Sequence, residues 1–99
     1  MVIIIFRSRL ADGHDDEYEA TAQRMIDLAS AMPGFISFKT FGNADGERVS
    51  IIEFESEETA AAWRNHPEHR HAQRRGREAF YQSYTIQVCT EVRRYGFER

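Results

Sequence analysis

The run Val2-Ile3-Ile4-Ile5-Phe6 constrains this chain more than any other segment. Consecutive side chains of a strand point to opposite faces of a sheet, so Val2, Ile4 and Phe6 take one face and Ile3 and Ile5 the other. Both faces therefore have to be covered. Arg7 and Arg9 then alternate with Ser8 and Leu10, which predicts a strand from Val2 to Leu10, buried on two faces early and on one face late. Five apolar residues followed at once by arginine are too short for a membrane span and do not read as a secretory signal.

The remaining punctuation is regular. From His14 to Met32 the residues Tyr18, Ala22, Met25, Ala29 and Met32 recur at spacings of four and three, one stripe of a helix widened by Ile26 and Leu28. Asp15, Asp16, Glu17 and Glu19 crowd its positive end, and Pro33-Gly34 stops it. Phe35 to Phe41 and Val49 to Glu55 flank the turn residues Gly42-Asn43-Ala44-Asp45-Gly46, which predicts an antiparallel hairpin. Ser56 offers a helix cap before Thr59 to Trp63, with Glu57 and Glu58 in the first turn. Pro67 suits the first turn of a further short helix running to about Arg77. Phe80, Tyr84, Ile86, Val88 and Val92 then alternate along a final strand from Phe80 to Arg94.

The order β-α-β-β-α-(α)-β is the ferredoxin-like α+β arrangement, an antiparallel sheet with its helices on one face. With 99 residues the chain forms a single domain, residues 1–99, that buries only about 60–65% of its unfolded surface. The helices leave one sheet face open while the first strand has apolar residues on both. The economical cover is a second copy, and a symmetric homodimer is predicted.

Charge narrows the function classes. Thirteen Lys and Arg against sixteen Asp and Glu give a net charge of −3, which disfavours nucleic-acid and anionic-membrane partners. The lone Cys89 excludes an internal disulfide and suits a reducing cytoplasm. It has no neighbouring cation in sequence to activate it.

Within Trp63 to Arg77 lie five of the arginines and three of the four histidines. On a helix from Pro67, His69, Ala72, Gln73 and Gly76 share one face, and His71, Arg74, Arg75 and Glu78 the other. Small Ala72 and Gly76 point the first face toward the protein. His69 is then the imidazole that looks into a cavity between helices and sheet, with Arg77 at its mouth. An imidazole there can move a proton near neutral pH or orient a substrate oxygen; a hydrogen-bonded structural role is the commoner use of such a residue. His66 serves the helix start and His71 faces solvent. No metal site is predicted: His69 and His71 diverge by about 200° on a helix, and no thiolate or carboxylate stands at ligand spacing. The arginines lack interleaved aromatics, so a solvated face or pairing with the acidic first helix explains them. Trp63 reads as core or as a lid over an aromatic ligand. Tyr81, Ser83, Gln87 and Cys89 form a polar stripe of the last strand, at an interface or lining a pocket.

Pro33-Gly34-Phe35, the segment Ile51-Ile52-Glu53-Phe54-Glu55-Ser56-Glu57-Glu58, and Trp63-Arg64-Asn65-His66-Pro67-Glu68-His69 together resemble the antibiotic biosynthesis monooxygenase (ABM) domain family. The likeness covers nearly the whole chain. It implies a dimeric α+β barrel of ferredoxin-like protomers, and a cofactor-independent monooxygenase acting on a small phenolic, quinol or anthrone-like substrate with molecular oxygen. Under that likeness His69 is the candidate catalytic base or hydrogen-bond donor, Trp63 and Phe38 apolar walls, and Gln73 a further substrate contact. Arg77 and Tyr81 are added on our own reading as anion contacts. Two alternatives remain: a non-catalytic dimeric binding protein and a heme-degrading enzyme. For the second, Trp63 matches the pattern, but Gln73 stands where the iron-ligating His is expected and Ser8 where an Asn is expected; a shifted register would make His69 or His71 the ligand, and no cofactor is predicted, heme being the disfavoured alternative.

Overall fold

The structure, a computed structural model, describes all 99 residues. Four strands, β1 (Val2–Leu10), β2 (Phe35–Gly42), β3 (Arg48–Phe54) and β4 (Tyr81–Thr90), form one antiparallel sheet in the order β2-β3-β1-β4. Helices α1 (Asp15–Ala31), α2 (Glu57–Arg64) and α3 (Pro67–Arg75) connect them. This is the α+β, ferredoxin-like order that the sequence predicts, with the doubly apolar strand β1 at the centre. No helix is long and apolar enough to cross a membrane.

Local chemistry sets the ends of the elements. Three acidic residues occupy the first turn of α1, where the helix dipole favours them. Gly34, at φ +80°, makes the turn into β2, and a Cβ there would lie 2.6 Å from the Thr59 side chain. Ser56 and Thr59 close a reciprocal capping box at the start of α2. At α3, Pro67 occupies the first turn, and His66 Nδ1 accepts a hydrogen bond from the Glu68 amide at 3.1 Å.

Register sorts the sheet into two faces. Val2, Ile4, Phe6 and Ser8 of β1 stand beside Phe54, Ile52, Ser50 and Arg48 of β3, and this face receives the helices. The core is Val2, Ile52 and Phe54 packed with Leu28, Ala29, Ala60 and Trp63. On the opposite face Ile5 lies between Ile51 and Gln87, and Arg7 between Val49 and Thr85.

Four expectations need correction, all near β4. Helix α3 ends at Arg75, short of Arg77, and a π-helical turn, Gly76–Phe80, follows. That wider turn carries Phe80 into the core, 3% exposed, so Phe80 does not begin the strand. Arg9 pairs with Ser83 and Leu10 with Tyr81, so Gln82 is an extra residue in β4. The bulge turns Tyr81 onto the helix side with Tyr84, away from the polar stripe of Ser83, Gln87 and Cys89. Finally, β4 stops at Thr90, because Thr90 pairs with Val2 and β1 has no ladder left to offer. Arg94 and Val92 lie beyond the strand, and Val92 is 86% exposed.

Candidate functional site

A cavity of about 310 Å³ lies between the inner face of the sheet and helices α1 and α3, within the size range of small-molecule sites. Cross-strand register grades its floor. Phe38, Ile52, Ile4 and Val88 form an apolar row, Thr40, Ser50, Phe6 and Ile86 a mixed row, and Arg48 and Tyr84, on either side of the buried Ser8, a polar one. Ion pairs hold the two roof helices together: Arg24 of α1 reaches Glu68 of α3 at 2.7 Å, and Arg75 of α3 reaches Glu17 of α1 at 2.7 Å. The basic and acidic segments thus serve each other. Each guanidinium holds its carboxylate partner below the ordinary range.

Trp63 and His69 stand together at the apolar end. The Trp63 ring, 4% exposed, stacks on Phe54 at 5.7 Å and meets Phe38 edge-on at 5.9 Å. His69 lies nearly parallel on the indole at 4.1 Å. Its Nδ1 is 3.1 Å from the Trp63 carbonyl oxygen. A carbonyl only accepts, so Nδ1 carries the hydrogen and Nε2 keeps a lone pair. Burial lowers the pKa of this imidazole, the Trp63 carbonyl opposes that shift, and nearby His66 adds to it. His69 is therefore held in its neutral, proton-accepting form near neutral pH. The Trp63 indole N–H is buried without any hydrogen-bond partner, an orphan donor in a wall of the cavity.

Aromatic hydroxyls gather toward the polar end. Tyr81 packs edge-on against Phe6 at 5.4 Å and lies 5.6 Å from Tyr84 and 5.9 Å from Tyr18. Burial pushes the Tyr81 phenol well above its ordinary pKa; Tyr18 adds to the shift and Arg48 opposes it. The phenol stays a neutral donor.

His69, Trp63, Phe38, Gln73 and Tyr81 all line this cavity. Arg77 does not: it is exposed on the π turn, outside the lining. Gln73 spends its amide hydrogen on the Arg64 carbonyl at 3.1 Å, tying α3 to the end of α2. His71 is exposed and lies off the cavity. Arg48 is the residue sequence reasoning misses. Its signal is parity: it shares the inward alternation of Ile52 and Phe54, where an unpaired charge is out of place.

The residues counted for heme are not in place: Gln73, at the ligand position, is engaged with Arg64, Ser8 is buried, and His71 is exposed and off the cavity. Of the two histidines a shifted register offers, only His69 lines the cavity. No group of three His, Cys, Asp or Glu side chains converges on a point that could hold a metal ion.

Comparison with known proteins gives a consistent family. A sequence profile described as antibiotic biosynthesis monooxygenase matches residues 1–75. The uncharacterized protein YqjZ of Bacillus subtilis (strain 168) is 34% identical over 95 residues, covering 96% of this chain and 82% of that protein. Among solved structures, Rv0793 of Mycobacterium tuberculosis superposes with a TM-score of 0.83 at 20% identity, over 96% of this chain and 98% of that one. SnoaB of Streptomyces nogalater, a cofactor-independent oxygenase, gives 0.79 at 16% identity over 94% of each chain.

Proposed function

This chain belongs to the antibiotic biosynthesis monooxygenase family, and from that premise we propose that it is a cofactor-independent monooxygenase of a small phenolic, quinol or anthrone-like substrate. One observation carries the reading. His69 is fixed by the Trp63 carbonyl as a neutral imidazole whose Nε2 is free, in the wall of a largely apolar cavity. That is the arrangement a carbon acid needs for deprotonation away from water.

For an anthrone the chemistry balances without a reductant. His69 Nε2 takes a proton from the reacting carbon, and the carbanion adds oxygen to give a peroxide. The imidazolium returns the proton, and loss of water leaves a new carbonyl: one CH2 and one O2 become one C=O and one H2O. Apolar Phe38, Ile4 and Ile52 exclude water from the reacting carbon.

Oxygen uptake over a panel of anthrones, quinols and catechols tests the proposal. Wild type should consume oxygen with at least one of them, and His69→Ala should lower the rate about 100-fold or more. Equal turnover in the variant overturns the role of His69, and no uptake on any of the panel leaves a binding protein.

A homodimer is part of the same reading. Its support is the sheet face that carries no helix, where Ile3, Ile5, Val49 and Ile51 lie together and Phe41 is 55% exposed. An uncovered apolar surface of this kind marks an interaction site, and a two-fold partner presents the same patch in return.

A further inference from the structure

Arg48 differs from the other arginines that project from the strands. Arg7 and Arg9 reach Glu47 and Asp45 at 3.0 Å. Arg48 takes part in no ion pair, although its buried Nε has lost water and has no hydrogen-bond partner. Glu19 and Glu57, the carboxylates at the cavity edge, are likewise absent from the ion pairs. The guanidinium carbon lies over the Tyr18 ring, 5.5 Å from its centroid. A cation–π contact of that kind satisfies none of the guanidinium N–H groups. Beside it in register are the buried Ser8 hydroxyl and then Tyr84. Arg48 is half-buried, and a guanidinium whose Nε is cut off from water while its terminal N–H groups meet no protein acceptor is satisfied best by an anion that arrives to pair with it.

We infer that Arg48, with Tyr84 in the same row of the sheet, is a carboxylate-binding subsite, and that the ligand of this cavity is an aromatic acid. The inference rests on the cavity taking an aromatic compound. Geometry also sets where the acid group sits. Arg48 and Ile52 are four residues apart on β3, about 13 Å. Ile52 pairs with Phe38, and Phe38 touches the Trp63 ring that carries His69. The anionic group and the atom facing His69 Nε2 are therefore at opposite ends of the ligand, a separation that two or three fused rings span. Planar guanidinium recognises a carboxylate through paired hydrogen bonds, which a neutral amide of the same shape cannot match.

Calorimetric titration of the full chain with anthraquinone-2-carboxylate and with the isosteric anthraquinone-2-carboxamide tests this. Wild type should bind the carboxylate at least about 10-fold more tightly, in line with a charge-assisted pair. In Arg48→Gln the two affinities should become equal while that for the carboxamide stays at its wild-type value, which also reports that the variant folds. Arg48→Lys should keep a reduced preference. Equal affinities in wild type, a preference that survives in Arg48→Gln, or failure of the carboxylate to bind overturns the inference. The wild-type comparison alone is decisive if the variants do not fold. Turnover separates the two proposals: a rate unchanged by His69→Ala, with the carboxylate preference intact, removes the catalytic reading and leaves this one.

Discussion

His69 and Arg48 line the same cavity, one a neutral base and the other a cation with no ion pair. His69 is half-buried and neutral, and its pKa is lowered chiefly by desolvation. Unfolding restores the ordinary value of 6.5, so below that pH the unfolded chain takes up a proton that the folded chain refuses. The contribution of His69 to stability is thus complete above pH 6.5 and is lost as pH falls from 6.5 through the lowered folded value. Chemical denaturation between pH 7.5 and 5 should show wild type losing stability over that interval, and His69→Phe should show a flatter profile; parallel profiles would mean that the ring is not desolvated. His69 is legible in the sequence because helical spacing places it with Ala72 and Gly76. Arg48 is harder to read, since a charged residue at the first position of a strand usually reaches solvent. Its parity with Ile52 and Phe54 is the one hint, and the register across β1 and β4 shows that its row faces inward. Arg77 goes the other way: helical spacing carries it toward the cavity, but the π turn changes the residue count and leaves it outside.

Among the elements, α2 has the strongest local signature. Ser56 and Thr59 exchange hydrogen bonds with each other's backbone amides at 3.2 and 3.1 Å, and the same helix delivers Trp63 to the core and the cavity. Ser56→Ala should cost about 1 kcal/mol of stability in denaturant unfolding, with ligand binding unchanged once the chain is folded. A loss below about 0.3 kcal/mol would show that water replaces the cap. Acidic first turns, the Ser56 cap and Pro67 make all three helix starts readable within a residue or two, and Pro33-Gly34 marks the end of α1. Strand β4 is less readable. Its alternation is broken by one inserted residue at Gln82, and a bulge of that kind depends on the partner strand, not on local composition. Its end at Thr90 is likewise dictated by where β1 begins.

At the scale of the molecule, the one-sided helical layer leaves a sheet face whose central residues are apolar, and this asymmetry follows directly from the two parities of β1. Sedimentation equilibrium at micromolar concentration should give about twice the 11.5 kDa of one chain. A Glu substitution at Ile5, in the middle of that face, should move the mass toward one chain. A wild-type mass of 11.5 kDa would remove the two-fold interface. The residues after β4 belong to the same question, since Tyr95 and Phe97 are 84% and 83% exposed. The cavity, by contrast, is assembled within one chain, and all of its proposed chemistry comes from residues of that chain. One consequence is optical. Trp63 is the sole tryptophan and lies against His69 in the cavity wall. Its fluorescence therefore has a single source, free of background from other indoles. Filling of the cavity and protonation of the stacked imidazole both alter the surroundings of that one emitter, so the protein carries its own reporter at the place where its chemistry is proposed.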